Sequence, residues 1–229
     1  MKYKSPLMSQ ASGSLAGITA SHNKGGAYFR QRSTPTNPNT PWQQAVRASI
    51  NQLSNLWSNG LDAGQRASWD AYALAVVIMD TLGEPIYPTG INHYIRSNVP
   101  RLQAGLPRVD TAPSIYNTGE FTAPSFEASE ATQQLSVTFE NTDDWANEDD
   151  SAMIIGSARP QGLAINFFKG PYRYAGTVNG NGTTPPTSPA LVSVSFPFVQ
   201  NQKLFVHVRV SRADGRLSTP FRGYALALA

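Results

Sequence analysis

Beyond about Pro124 the chain alternates apolar and polar residues, and this two-residue period limits the fold more than any other feature of the sequence. Successive side chains of a β-strand point to opposite faces, so alternation predicts strands with one buried face. The stretch KLFVHVRVSR shows the pattern most clearly. One side of that strand carries Leu204, Val206, Val208 and Val210, and the other carries Phe205, His207 and Arg209.

Seven short segments share this character and are separated by Gly, Pro, Asn or Asp. In chain order they are QLSVTFE, AMIIGSA, INFF, YRYAGTV, LVSVSFPF, KLFVHVRVSR and FRGYALAL. Short strands at this density are typical of β-sandwiches. We expect residues 124–229 to form a sandwich of the immunoglobulin or fibronectin type III kind.

A helical period replaces the two-residue period between residues 41 and 105. Thr40 suits an N-cap, Pro41 suits the first helical position, and Gln43 completes a capping box. One apolar stripe then comprises Trp42, Val46, Ile50, Leu53 and Trp57. The sequence Asn-Gly at 59–60 is a typical helix stop.

A second helix is predicted after this stop, because Asp62 and Gln65 form another capping box. The short link implies an antiparallel helix pair packed through Trp57 and Trp69, which we interpret as core residues. A third helix is expected after Thr89. Its apolar face would comprise Ile91, Ile95, Val99 and Leu102.

The proline at position 100 is expected to kink that third helix or to limit it to about ten residues. The stretch QAGLPRVDTAPSIYNTGEFTAPS follows it, with small residues, prolines and no periodicity. The sequence therefore predicts an α+β protein with a helical hub at 41–105, a linker at 106–123 and the sandwich at 124–229.

Residues 1–40 predict an extended arm that contains a β-hairpin. The strand-like stretches SLAGITASH and AYFRQRS flank NKGG, which is good turn chemistry. Three prolines then keep TPTNPNTP extended. Because an isolated hairpin is marginal in water, the arm must gain contacts from the rest of the chain or from another subunit.

Composition excludes several kinds of site. The chain has no cysteine, so a disulfide, a cysteine-type zinc site and a thiol nucleophile are excluded. It has no apolar run of about 18 residues, and its first residues lack the apolar segment of a secretory signal. We therefore expect no membrane contact and synthesis in a cytoplasm.

Charge is uneven along the chain. The first 61 residues contain six basic and no acidic residues, whereas the remainder contains 12 basic and 15 acidic residues. The acids are concentrated in DDWANEDD at 143–150, which could bind calcium or be an exposed acidic loop. The basic arm and the acidic loop could pair head to tail between copies, or be two separate solvated patches.

No catalytic, cofactor or metal site is predicted. His22, His93 and His207 fall in a turn, a helix and a strand, and none has a His or Cys partner at metal-ligand spacing. The G-x-S-x-G, P-loop and H-E-x-x-H motifs are absent, so we do not expect an enzyme. Arg30 and Arg32 alternate with aromatic residues, but the basic density is modest and nucleic acid is not the expected partner.

The last hundred or so residues resemble a bacterial fibronectin type III domain. In that family a valine-alternating strand leads into an Ala-Asp-Gly turn and Ser-x-Pro, and KLFVHVRVSRADGRLSTP is similar to this hairpin. The turn would be Ala213, Asp214 and Gly215, and Leu204 stands where a tyrosine is usual. The resemblance implies the sandwich fold.

The N-terminal part resembles a group of uncharacterised proteins common in phage and prophage gene neighbourhoods. Their shared pattern is a glycine-rich strand, a turn, Y-x-R-x-R, NP-x-T and a Q-x-x-x-R helix. The matching residues are Gly13, Gly17, Gly25, Gly26, Tyr28, Arg30, Arg32, Asn37, Pro38, Thr40, Gln43, Gln44 and Arg47. The resemblance implies a virion or phage-associated structural protein.

We therefore expect a non-enzymatic bacteriophage structural protein of the tail, head-to-tail region or capsid exterior, assembled in the bacterial cytoplasm with its own copies and other virion proteins. Its expected assembly surface comprises Tyr28, Phe29, Arg30, Arg32, Asn37 and Pro38. The alternative is a module that binds a glycan or host surface through loops carrying Trp145, Tyr172 and Tyr174. No cofactor is expected in either case.

Overall fold

The computed structural model describes residues 13–23, 26–34, 36–79, 84–168 and 170–229. The chain forms two compact units, Met1–Gln44 and Ala45–Ala229. The protein is of mixed α+β class, with three helices and twelve strands in the described residues. Within the same residues, no helix combines the length and hydropathy that crossing a membrane requires.

The N-terminal unit contains an antiparallel sheet of three strands, β1 (Gly13–Leu15), β2 (Ile18–Asn23) and β3 (Gly26–Gln31). The predicted hairpin is confirmed as the β2–β3 pair, although Lys24 and Gly25 of its turn lie outside the described residues. The stretch predicted as one first strand is two strands. Ala16 adopts a positive φ of 49°, and the chain reverses there through Ala16 and Gly17.

Helix α1 (Pro41–Asn59) begins at the predicted capping box. The backbone N–H of Gln43 donates to Thr40 Oγ1 at 3.3 Å, and the N–H of Thr40 donates to Gln43 Oε1 at 3.1 Å. Helix α2 (Ala63–Ala75) has the second predicted box, formed by Asp62 and Gln65. Both helix starts therefore depend on local hydrogen bonds whose residues can be recognised in the sequence.

Helix α3 (Gly90–Gln103) continues through Pro100, so the prediction of a limit near ten residues is wrong, and Thr89 occupies the N-cap without a side-chain capping bond. Its predicted apolar face is only half-buried, whereas its buried positions are mostly polar. They are Gly90, His93, Tyr94, Ser97, Asn98 and Arg101. Packing against the segment that follows α3 accounts for part of this reversal, since Asn98 bonds the backbone of Val109 and Arg101 donates to the carbonyl oxygen of Pro107.

Aromatic rings join the helices. Trp57 of α1 and Trp69 of α2 both lie against Tyr94 of α3, with ring centroids 5.7 and 5.6 Å apart. Leu53, Leu61 and Tyr72 complete the buried part of this core. The tryptophans are core residues as predicted, but each packs on Tyr94, and among the described residues the predicted direct packing of α1 on α2 through these two rings is not found. A two-stranded pair, β4 (Ile78–Met79) with β5 (Pro85–Ile86), follows α2 and was not predicted.

Seven strands form one large sheet in the order β10-β7-β6-β12-β11-β8-β9. Their bounds are β6 (Ser125–Ser129), β7 (Gln134–Thr138), β8 (Ala152–Ser157), β9 (Arg173–Asn179), β10 (Ala190–Ser193), β11 (Lys203–Ser211) and β12 (Phe221–Leu228). All pairings are antiparallel except β6 with β12. The expected strand INFF is irregular, and β6 was not predicted.

The large sheet curls until it is nearly closed. Its two end strands approach each other, since a Cβ added to Gly176 of β9 would lie 2.7 Å from Val192 of β10. The enclosed core contains the predicted apolar side of β11, with Leu204, Val206, Val208 and Val210 at most 1% exposed. The period-two pattern therefore identified the correct buried face of this strand.

Candidate functional site

The N-terminal sheet has one mostly apolar face and one polar face, as its strand register shows. Leu15 pairs with Ile18, and Ala20 pairs with Phe29, on the apolar face. Leu15 is 86% exposed and Ile18 is 54% exposed. No described residue from 13 to 40 is buried. Among the described residues, Leu15 and Ile18 therefore present exposed apolar surface on this unit.

The residues predicted as an assembly surface lie on different faces of this sheet and its extension. Tyr28 and Arg30 pair with Ser21 and Thr19 on the polar face, whereas Phe29 lies on the apolar face. Arg32 follows the last strand and is exposed. Asn37 and Pro38 are exposed in the extended segment that precedes α1. The structure thus distributes the predicted patch over two surfaces.

The residues of the predicted ligand loops are not brought together as one exposed surface. Trp145 is fully buried in the core of the large sheet, with its ring 5.2 Å from that of Phe139. Tyr172 and Tyr174 are half-buried near β9. A fully buried indole cannot stack on a sugar unless the core opens. The burial of Trp145 therefore indicates a packing role in the core of the large sheet.

A buried arginine connects the helices to the sheet. Arg101 of α3 is fully buried, and its guanidinium donates to the carbonyl oxygens of Pro107, Asp150 and Arg212. It also donates to Ser211 Oγ at 3.2 Å. Burial lowers the pKa of Arg101, and nearby carboxylates partly oppose this effect. Four acceptors from three chain segments hold this charge in place.

Two more arginines extend this junction to the segment predicted as a linker. Arg212 donates to Glu148 at 2.5 Å and to the carbonyl oxygen of Thr118 at 2.8 Å. Arg216 bonds Asp214 and donates to the carbonyl oxygen of Asn117 at 2.5 Å. The segment 106–123 is therefore tied to the turn between β11 and β12 by hydrogen bonds.

The acidic loop at 143–150 uses several of its carboxylates within the chain. Asp143 is 2% exposed and accepts from both the N–H and the hydroxyl of Thr122. Asp149 accepts from the N–H of Gly182 at 3.0 Å. Across the described residues, no group of three or more His, Asp or Glu is arranged to hold a metal ion. These bonds give the loop a structural role beside Arg212.

A second group of basic side chains lies on the outer face of the large sheet, and we call Arg96, His207, Arg209 and Arg222 the cationic cluster after its three arginines. His207 and Arg209 are two residues apart on β11 and so share a face. Arg222 of β12 is directly opposite His207 in the register. Arg96 comes from α3, which packs on β11. Four basic side chains from three elements therefore lie close enough to influence one another electrostatically.

Arg96, His207 and Arg209 are half-buried, whereas Arg222 is exposed. Burial, reinforced by Arg209 and Arg222, lowers the pKa of His207 to about 4. Burial, together with Arg96 and Arg222, also lowers the pKa of Arg209. None of the three arginines forms an ion pair within the described part of the chain. Repulsion between like charges is therefore left uncompensated by nearby carboxylates.

Aromatic side chains border the cluster on the same face. The ring of Tyr172 meets His207 edge-on, with centroids 4.7 Å apart, and its hydroxyl donates to the carbonyl oxygen of Phe168. Phe168 stacks on Phe205 at 5.6 Å, and Phe205 contacts Tyr224. Tyr172, predicted as a loop residue for a ligand, therefore forms one wall of a basic and aromatic surface.

Sequence reasoning missed the cluster, although one signal was present. Alternation along β11 places His207 and Arg209 on the face opposite the core, which fits a charged outer surface. The contributions of Arg96 and Arg222 depend on strand pairing and on the packing of α3, which a single sequence does not reveal. Neither the protein-family models nor the curated proteins contain a match to this chain.

Proposed function

We propose that the protein is a non-enzymatic structural subunit of a bacteriophage particle and that it assembles with its own copies through the N-terminal sheet. The observation that carries this proposal is the exposure of Leu15 and Ile18 on a sheet with no buried residue. A small sheet of this kind needs an additional apolar surface to be stable. The phage context comes from the resemblance of the N-terminal sequence pattern to uncharacterised proteins of phage and prophage gene neighbourhoods.

A second copy of the chain is the partner that charge favours. Residues 1–61 carry six basic and no acidic residues, and the remainder has three more acidic than basic residues. Unlike net charges on two parts of one chain attract between copies, and this attraction guides association. Strand addition at an open edge of the three-stranded sheet would then give backbone hydrogen bonds.

The large sheet has two groups of neighbouring strands, one on each side of the β6–β12 pair. We infer an immunoglobulin-like arrangement, in which β10, β7 and β6 act as one layer and β12, β11, β8 and β9 act as the other. This division matches strands E-B-A and G-F-C-C′ of that fold. The parallel β6–β12 pair would join the layers at one side.

Sedimentation velocity at micromolar concentration tests the assembly step. We expect the full chain to sediment as an oligomer, and the double change Leu15→Glu with Ile18→Glu to give protomers, because buried carboxylates oppose the apolar contact. Ser14→Glu is the matched control on the opposite face of the same strand. A protomeric wild-type chain, or equal dissociation of both variants, would overturn this proposal.

The phage assignment has its own test in the genome. A gene located among portal, tape-measure or tail genes supports a particle component, whereas a location among metabolic genes contradicts it. Mass spectrometry of purified particles from such a host would then detect the chain directly. Failure of this test would leave self-assembly standing, because sedimentation measures a different property.

A further inference from the structure

The cationic cluster contains buried hydrogen-bond donors that the protein leaves without acceptors. Arg96 Nη1 and Arg209 Nε are both shielded from solvent and have no hydrogen-bond partner in the described part of the chain. His207 Nδ1 is in the same condition. Each buried unsatisfied donor costs about 1–3 kcal/mol, and more when the group is charged. Native proteins leave few buried polar groups without a hydrogen-bond partner, so each such group calls for an explanation such as a bound ion or water.

Strand geometry places the residues that carry these donors close to one another. Side chains two residues apart on a strand are separated by roughly 7 Å, which sets the distance between His207 and Arg209. The Cβ of Arg222 lies about 5 Å from that of His207 across the strand pair. Tyr172 closes one side against His207. A single compact group fits between these residues better than an extended chain.

The charge and shape of the group follow from the donors. The three arginines belong to three different elements, α3, β11 and β12, so a ligand that they share would accept hydrogen bonds from more than one direction. A tetrahedral phosphate offers up to four oxygens and about two negative charges at neutral pH. A carboxylate has two oxygens in one plane and a single charge. Guanidinium also forms paired hydrogen bonds with phosphate.

We propose that the cationic cluster binds one phosphate group, held by the guanidinium groups of Arg96, Arg209 and Arg222 and bordered by Tyr172. The group belongs either to free inorganic phosphate or to a nucleotide. Arg222 is exposed, whereas Arg96 and Arg209 are half-buried, so the ligand enters from the Arg222 side. This site is independent of the N-terminal sheet and of the phage assignment.

Calorimetric titration of inorganic phosphate into the full chain, in chloride at constant ionic strength, tests the site. We expect saturable binding at one site per chain. Arg209→Gln and Arg96→Gln should each weaken binding about tenfold or more, as the loss of a charged hydrogen bond implies. Arg173→Gln is the matched control, because this exposed arginine of β9 contacts Phe196 and lies outside the cluster.

A third cluster variant and a second ligand separate the remaining outcomes of the titration. Arg222→Gln changes an exposed side chain, so it tests the site if either half-buried variant fails to fold. A nucleoside 5′-monophosphate that binds more tightly than phosphate identifies a nucleotide as the source, and equal affinity identifies the free anion. Unsaturable heats, unchanged affinity in the cluster variants, or acetate binding as tightly as phosphate would overturn the proposal.

Discussion

Arg101 of α3 donates a 2.6 Å hydrogen bond to the backbone carbonyl oxygen of Arg212, 111 residues further along the chain. Arg212 in turn bonds Glu148 of the acidic loop. These contacts join a helix, a loop and a strand end through charged donors. The junction between the helices and the large sheet therefore depends on buried arginine.

The first prediction concerns Arg101 itself. Arg101→Met should lower the free energy of unfolding by about 3–5 kcal/mol, because it leaves buried acceptors from three segments without a donor. Urea denaturation followed by circular dichroism measures this loss. Arg173→Met, an exposed control, should cost less than about 1 kcal/mol. Similar losses for both variants would show that Arg101 does not hold the junction.

The second prediction is a pH dependence that arises from His207. Its pKa is about 4 in the folded protein and about 6.5 when unfolded. Between these values the unfolded chain binds more protons, so stability should fall as pH falls from about 6.5 to about 4. The expected loss is about 2–3 kcal/mol, after allowance for partial exposure of the ring.

His207→Phe should flatten this pH profile, because it removes the proton-binding group and keeps a ring against Tyr172. His93 has its pKa lowered by burial and by Arg96, so part of the slope should remain. His22→Phe, at an exposed histidine outside the large sheet, is the control variant. Urea denaturation at pH 7 and pH 5 provides the comparison, and an unchanged slope in His207→Phe would refute the assignment.

The third prediction concerns the close approach of α2 and α3 at Gly90. A Cβ at this position would lie 2.8 Å from the backbone nitrogen of Asp70 and 2.9 Å from the carbonyl carbon of Trp69. Gly90→Ala should therefore push the helices apart and cost about 1–3 kcal/mol in thermal or urea unfolding. Gly162→Ala, with no described atom within 4 Å, should be close to neutral.

The fourth prediction separates a packing role of Trp145 from a ligand role. Trp145→Ala should destabilise the large-sheet domain by about 3–5 kcal/mol, as expected for a fully buried tryptophan. Trp42→Ala changes a 40% exposed side chain and should cost much less. Near-ultraviolet circular dichroism and urea denaturation report both. A stable Trp145→Ala protein with altered glycan binding would restore the alternative function.

Local signals in the sequence predicted the local parts of the fold. The capping residues Thr40 and Asp62 fixed two helix starts, because each cap depends only on residues within one turn. The alternation along β11 identified the buried face. The pairing of β2 with β3 also agrees with the Asn and Gly residues between the two strands. Each of these features is decided by neighbours that are close in the chain.

Features that depend on distant contacts were not predictable in this way. The polar face of α3 is buried because Asn98 bonds the backbone of Val109, on a segment that looked unstructured. Trp145 lies in an acidic stretch, yet the core of the sheet encloses it. The cationic cluster forms because α3 lies on β11, and no single segment of the sequence predicts that contact.

Hydrogen exchange of the N-terminal sheet, measured above and below the concentration at which the chain assembles, tests the central claim most directly. We predict fast exchange of β2 and β3 amides in the dilute protomer and strong protection in the assembled sample, because another copy covers the apolar face. Equal and strong protection in a sample shown to be protomeric would contradict the account.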